Sequence, residues 1–345
     1  MWGAMQVIIV SLICCTVLIL LLRGVAHRLG IVDHPGGRKQ HVHPTPTVGG
    51  VAMFVAVAFT LYLSDAYTEK LTLLIGCSAL LVALGVLDDK YDLRVSLRMM
   101  TQVFLVLLVI LGAEGTIMHL GALFGAEDIH LGLLAVPFSV IAFVGGINAM
   151  NMIDGADGMA GKMALITVLG VAVIFHFAGA TELFPLTWAV LGALVGFLLL
   201  NSRIFVRRAW VFMGDAGSMW LGLVLGWFMA QVTRGTVSAE PALVLWLFGI
   251  PLIDTLVVMA RRLRHNGSPF AADRTHIHHV LQHAGLSVRR TVLVLSLAQL
   301  VLVCIGVCFY LFHAPAAVVF WSFALLMAAY YYRLRDCGVK LVSRG

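Results

Sequence analysis

Acidic and histidine-rich clusters recur at the ends of apolar runs in this 345-residue chain: Asp33 to Gly50, Asp88-Asp89, Asn148 to Gly161, Phe212 to Ser218, and Ser268 to His279. Carboxylates are costly at membrane depth and mark functional sites there. Placed where a membrane helix meets water, they can act on a water-borne and a lipid-borne substrate together. Asp154 and Asp157 lie in a segment whose Gly155, Gly158 and Gly161 repeat every third residue before an apolar run. Two carboxylates at such a helix end suit a divalent cation that neutralises a diphosphate, and glycine lets backbone amides come close to a ligand. The alternative, glycine for helix packing and Asp as N-cap, accounts for one Asp but not two.

Asp215, in Phe212-Met-Gly-Asp-Ala-Gly-Ser218, has no sequence-local cation. It is the best single candidate for a magnesium ligand, with Asp154 and Asp157 completing the site. Asp254 lies two turns before Arg261 on its helix and is as readily structural. Asp88 and Asp89 follow the run Leu80 to Leu87, and Lys90, Arg94 and Arg98 follow at four-residue spacing. If helical, those cations form one stripe beside the acids; a solvated helix end with intrahelical pairs is the competing reading. In the last cluster His276, His279 and His283 could share a helical face, which raises zinc. No cysteine lies nearby and the other candidate ligands are hard oxygens, so Arg274 and the imidazoles fit phosphate or sugar oxygens better. The Pro- and Gly-rich loop carrying Arg38 and Lys39 fixes a particular backbone path.

These clusters need apolar elements to position them. Hydrophobic residues make up 61% of the chain and charged ones 12%, with a mean hydropathy of +0.99, far from the roughly 25% charged residues of a soluble domain. At about 20 apolar residues per crossing, eleven spans are expected, near 4–22, 47–64, 71–87, 100–113, 131–147, 160–177, 184–200, 211–232, 241–260, 291–312 and 315–332. With the N-terminus outside, 21 of the 23 Lys and Arg residues fall on the cytoplasmic side, leaving Lys70 and Arg234 outside. The net charge of +6 then follows from topology, and no nucleic-acid role is needed. The first segment lacks a basic n-region and a small-residue cleavage site, so it reads as a retained anchor. The six cysteines read as packing residues. The expected fold is an all-α polytopic membrane protein, one domain over 1–345, with cytoplasmic loops near 23–46, 88–99, 148–159, 201–210 and 261–290.

In order and spacing these segments resemble the polyprenyl-phosphate N-acetylhexosamine-1-phosphate transferases, over nearly the whole chain. The matching stretches are Arg38-Lys39-Gln-His41 with Gly49-Gly50, Leu87-Asp88-Asp89, Asn148 through Asp157-Gly, Phe212-Met-Gly-Asp215-Ala-Gly-Ser, and Ser268 through His279. The last resembles the branch that uses UDP-N-acetylhexosamines. The resemblance implies transfer of a sugar 1-phosphate from a UDP-sugar to undecaprenyl phosphate, with release of UMP. It places the protein in a bacterial inner membrane, at the start of a surface polysaccharide of the O-antigen or common-antigen type. It also implies Mg2+, with Mn2+ as a substitute, contact with membrane lipids, and room for a homodimer. On the residue chemistry and the resemblance together, Asp88, Asp89, Asp154, Asp157 and Asp215 are candidate catalytic residues, the last three as metal ligands. Lys39, Lys90, Arg98, Asn148, Asn151, Arg264, Asp273, Arg274, His276, His278 and His279 are candidates for substrate binding. A cation-coupled transporter is the competing class; it predicts acids near the bilayer midplane and internal repeats.

Overall fold

The computed structural model describes residues 2–33, 44–125, 127–234, 237, 239–264 and 276–334. In chain order the helices are α1 (Ala4–Leu29), α2 (Gly49–Leu63), α3 (Glu69–Tyr91), α4 (Val95–Gly112), α5 (Ala135–Ile153), α6 (Met159–Ala178) and α7 (Phe184–Asn201). They continue with α8 (Gly214–Val232), α9 (Leu243–Leu247), α10 (Gly249–Arg264), α11 (Ile277–His283), α12 (Val288–Leu311) and α13 (Ala316–Leu334). Two short antiparallel strands, β1 (Val32–Asp33) and β2 (Thr45–Pro46), lie between α1 and α2.

Every apolar segment expected from the sequence is helical, because a backbone in hydrocarbon must satisfy its own hydrogen bonds. Among the described residues, eight helices are long and apolar enough to cross a bilayer, and α2 is a shorter apolar one. The protein is an all-α polytopic membrane protein. α1 packs along α7, where Gly192 and Gly196 would place a Cβ 2.3 Å and 2.7 Å from the carbonyls of Ile8 and Leu12. α8 is buried nearly all round, against α2, α3, α5 and α6, so its sequence can carry Gly, Ser and Gln that lipid-facing helices avoid.

The span expected at 241–260 is divided. α9 ends at Leu247 and α10 restarts at Gly249, with Pro251 in its first turn; Pro lacks an N–H and disfavours helix before it. Backbone groups freed inside the bundle are re-satisfied by side chains. Gln299 of α12 accepts from Ile250 N–H at 2.8 Å and donates to the Leu247 carbonyl at 2.8 Å. Thr167 of α6 donates to the same carbonyl at 2.9 Å. Replacing Gln299 by Met keeps the volume but leaves the Ile250 N–H without an acceptor, at a cost of about 1–3 kcal/mol. Thermal unfolding in detergent is expected several degrees lower for Gln299→Met; a wild-type melting temperature would show that the break does not depend on this residue.

Candidate active site

Asp215 lies on the first turn of α8, and the ends of several other helices close around it. Its backbone N–H donates to both carboxylate oxygens of Asp89, at 3.1 Å each. The last turn of α3 thereby caps an N–H that the helix cannot satisfy, at the positive end of the α8 dipole. The approach depends on glycine at 214: φ there is +71°, and a Cβ would meet Asp89 Oδ2 at 2.4 Å and the Thr47 carbonyl at 2.9 Å. Asn151, from the end of α5, donates to Asp215 Oδ1 at 2.7 Å and to Ser218 Oγ at 3.0 Å.

The cationic stripe expected after Asp89 does not form. α3 stops at Asp92, which adopts the left-handed conformation, and the chain reverses. Leu93 N–H then donates to Asp88 Oδ1 at 2.9 Å. Arg98 returns on α4 to bond Asp88, and it lies 3.6 Å from Asp215 Oδ2. Asp215 therefore has in space the cation that its sequence neighbourhood lacks. Lys90 stays apart and exposed, its ammonium 5.3 Å over the Tyr91 ring.

The Asp154 turn also differs from expectation in detail. Gly158, at φ +77°, is the N-cap of α6, and no side chain caps that helix, so neither Asp is an N-cap. Asp157 pairs with Arg203, Nε to Oδ2 at 2.6 Å. Gly161 packs against Leu198 and Phe197, and Gly155 against His278, whose Nε2 would lie 2.4 Å from a Cβ. These two glycines serve packing within the described chain. Asn148 donates inward to Gln102 Oε1 at 2.9 Å and to the Val144 carbonyl at 2.7 Å; of the two asparagines, Asn151 is the one at Asp215.

His276 is held by Asp254. Asp254 is 3% exposed and accepts from His276 Nδ1–H at 2.8 Å, from Ile277 N–H at 2.9 Å and from the Tyr330 hydroxyl at 3.2 Å. His276 precedes α11 and cannot share a helical face with His279 and His283. Its ring stacks on His278, 5.9 Å between centroids, and His278 in turn lies 4.1 Å from His279. His278 is 1% exposed, and among the described residues neither ring nitrogen has a partner. Burial pushes its pKa down to about 3, with His279 adding to the shift. It is a neutral wedge against Gly155, not a ready cation. Arg264 reaches the Tyr331 hydroxyl at 3.4 Å. Lys39, Asp273 and Arg274 lie outside the described residues. Both partners leave a signal in the sequence: Asp254 is a lone acid in an apolar run, and Arg203 is a cation just past the end of α7.

The profile of "Glycosyl transferase family 4" matches residues 71–233, the stretch from α3 through α8 that carries all five clustered aspartates. The undecaprenyl-phosphate alpha-N-acetylglucosaminyl 1-phosphate transferase of Salmonella typhi is 36% identical over 85% of this chain and 80% of its own length. The chain belongs to this family. The protein of the same name from Escherichia coli (strain K12) is 35% identical over the same shares. A "probable undecaprenyl-phosphate N-acetylglucosaminyl 1-phosphate transferase" of Bacillus subtilis (strain 168) is 32% identical over 84% of this chain and 80% of its own. A transporter finds no support in these similarities, and the acids gather at one end of the bundle.

In this cluster Asp88, Asp89, Asp154, Asp157 and Asp215 are matched by two guanidiniums, Arg98 and Arg203, among the described ion pairs. Burial, with the charges of Asp215 and Asp157 adding to it, pushes the Asp154 carboxyl up to about 7. Excess negative charge of this kind fits a cation. Among the described residues no three His, Cys, Asp or Glu side chains form a ready ligand shell. Mg2+ takes one or two carboxylates and completes its shell with water and phosphate oxygens.

Two outcomes follow. A proton on Asp154 competes with a cation, so affinity rises with pH; Mn2+ binding followed by electron paramagnetic resonance is expected about tenfold tighter at pH 8 than at pH 6. Affinity that does not change with pH would remove Asp154 from the cation site. Asp254→Asn exchanges an anionic acceptor for a neutral amide beneath His276 and Ile277. A charge-assisted bond contributes about 1.5–3 kcal/mol, so amide exchange over residues 277–283 should speed up roughly ten- to a hundredfold. Unchanged protection would mean that other contacts hold the segment.

Proposed function

We propose that the protein transfers N-acetylglucosamine 1-phosphate, or a related N-acetylhexosamine 1-phosphate, from a UDP-sugar to undecaprenyl phosphate and releases UMP. It acts as a single membrane domain at the cytoplasmic face of a bacterial inner membrane, in initiating a surface polysaccharide. The observation that carries this reading is the convergence of α3, α4, α5 and α8 on Asp215, which gathers carboxylates, Arg98 and Asn151 at one end of the bundle. The printed names of the relatives support the substrates. The bias of Lys and Arg towards that end supports the orientation, with the N-terminus outside and eleven crossings.

An oxygen of the lipid phosphate attacks the sugar-bearing phosphorus, the bond from that phosphorus to the bridging oxygen breaks, and the electron pair leaves with UMP. A phosphate monoester has its second pKa near 6, so the acceptor is mostly dianionic at neutral pH and needs no general base. Catalysis is then positioning and charge stabilisation. Asp215 and Asp154, with the oxygen of Asp157 not paired to Arg203, would hold Mg2+, whose positive charge offsets that of the diphosphate. Asn151 orients Asp215. Arg98 keeps Asp88 and Asp215 in register and offers positive charge where two anionic substrates meet. We assign His276, His278, His279 and Arg264, with Asp273 and Arg274, to recognition of the UDP-sugar, Lys90 with Arg98 to the lipid phosphate, and Lys39 to substrate binding.

Purified protein is expected to release UMP from UDP-N-acetylglucosamine only with a polyprenyl phosphate present, to stop on chelation and to recover with Mg2+ or Mn2+. Asp215→Asn should lose about a hundredfold or more in turnover, the usual cost of one electrostatic contributor to a transition state, while still folding. Turnover that survives chelation, or near-normal turnover of the variant at limiting Mg2+, would refute the assignment.

A further inference from the structure

A second polar feature lies at the same end of the bundle, outside the carboxylate cluster. The last turns of α1, the β2 segment and the loop after α7 enclose a recess of about 250 Å³. Arg23 and His27 enter it from α1, and Arg208 and Trp210 from a loop more than 180 residues later. The Arg23 guanidinium lies 5.0 Å over the Trp210 ring. Among the described residues no carboxylate lines the recess, and neither Arg23 nor Arg208 has an acidic partner. Positive-inside topology accounts for a cation after a span. It does not account for two distant arginines and a tryptophan meeting around one recess.

We propose that this recess binds the phosphate of an anionic membrane phospholipid, with the acyl chains lying along α1. The volume is below the roughly 300–1,000 Å³ of sites that enclose a small molecule, which suits a headgroup phosphate and not a nucleotide sugar. The position fits as well: Leu20, about one turn before Arg23 on α1, is an exposed apolar side chain. A tryptophan at the membrane boundary and basic pockets between helices are the usual elements of headgroup recognition.

The recess shares a wall with the active-site cluster. Phe212 N–H donates to the Pro46 carbonyl at 2.7 Å, Gly49 N–H to the Phe212 carbonyl at 3.0 Å, and Gly50 N–H to the Met213 carbonyl at 2.9 Å. This zipped pair of segments runs from the recess straight to Gly214 and Asp215. A phosphate held between Arg23 and Arg208 would tie the outer end of that pair to the membrane surface.

The test is lipid retention, which does not depend on turnover. Protein in nanodiscs of phosphatidylcholine with a minor fraction of phosphatidylglycerol is released and its bound lipids are counted by native mass spectrometry. Wild type should retain phosphatidylglycerol, and Arg23→Gln/Arg208→Gln should lose that preference by about thirtyfold, from the attraction of two surface arginines. Arg208→Gln alone, at an exposed position, should lose part of it and serves if the double variant does not fold. An unchanged preference in either folded variant overturns the proposal. Displacement by inorganic phosphate would make this a free-phosphate site, and displacement by an equal amount of polyprenyl phosphate would assign it to the acceptor; either overturns the phospholipid assignment. UMP release, followed in the same samples, separates this inference from the proposed reaction: its absence everywhere would refute the reaction and leave the retention result standing.

Discussion

Like-charge repulsion at the N-terminus of α8 is the constraint around which the rest of the site is arranged. Five aspartates from three regions of the chain meet where few cations reach them, and carboxylates so placed raise one another's proton affinity. The fold tolerates this through three devices. The α8 dipole and its free N–H groups face Asp89; Arg98 is drawn back from α4 to lie between Asp88 and Asp215; Arg203 neutralises Asp157. Within the proposed function, the negative charge that remains is what would hold a cation, and the cation in turn a diphosphate.

Close helix approach makes the cluster possible. A Cβ on Gly50 would fall 2.1 Å from Gly217 N, and one on Gly85 2.3 Å from Ala216 N, so α2, α3 and α8 meet backbone to backbone just beneath the acids. Small residues permit such contacts in a bilayer, where no hydrophobic force drives helices together. Larger side chains would hold the helix ends apart and leave each carboxylate to water. On the histidine side, Asp254, His276, His278 and Gly155 form a continuous series of contacts from α10 and α13 to the Asp154 turn.

The helices were legible because apolar runs near bilayer length have one low-energy conformation there. The gathering of the three aspartate clusters at one end was legible from their places at the ends of apolar runs. Individual partners were harder. Arg98 looked like the third cation of a stripe because periodicity cannot show that Asp92 takes a left-handed turn. Asn148 and Asn151 are equivalent in sequence, and only their rotation about α5 separates a residue bonded to Gln102 from one bonded to Asp215. The glycine triplet read as a ligand cradle, whereas Gly155 and Gly161 answer to His278 and Phe197, which are distant in the chain. The broken span at Phe248 was foreseeable from Pro251, but its repair by Gln299 was not, since that polar residue sits alone in an apolar run.

The central claim is that this cluster breaks the bond between the two phosphates of a UDP-sugar and keeps one of them with the sugar. UDP-N-acetylglucosamine labelled with phosphorus-32 at the sugar-bearing phosphate, incubated with the purified protein and undecaprenyl phosphate, tests it most directly. The account predicts that the label moves into the lipid fraction and that the nucleotide released is unlabelled UMP. Label recovered in water-soluble UDP, with only the sugar on the lipid, would contradict it.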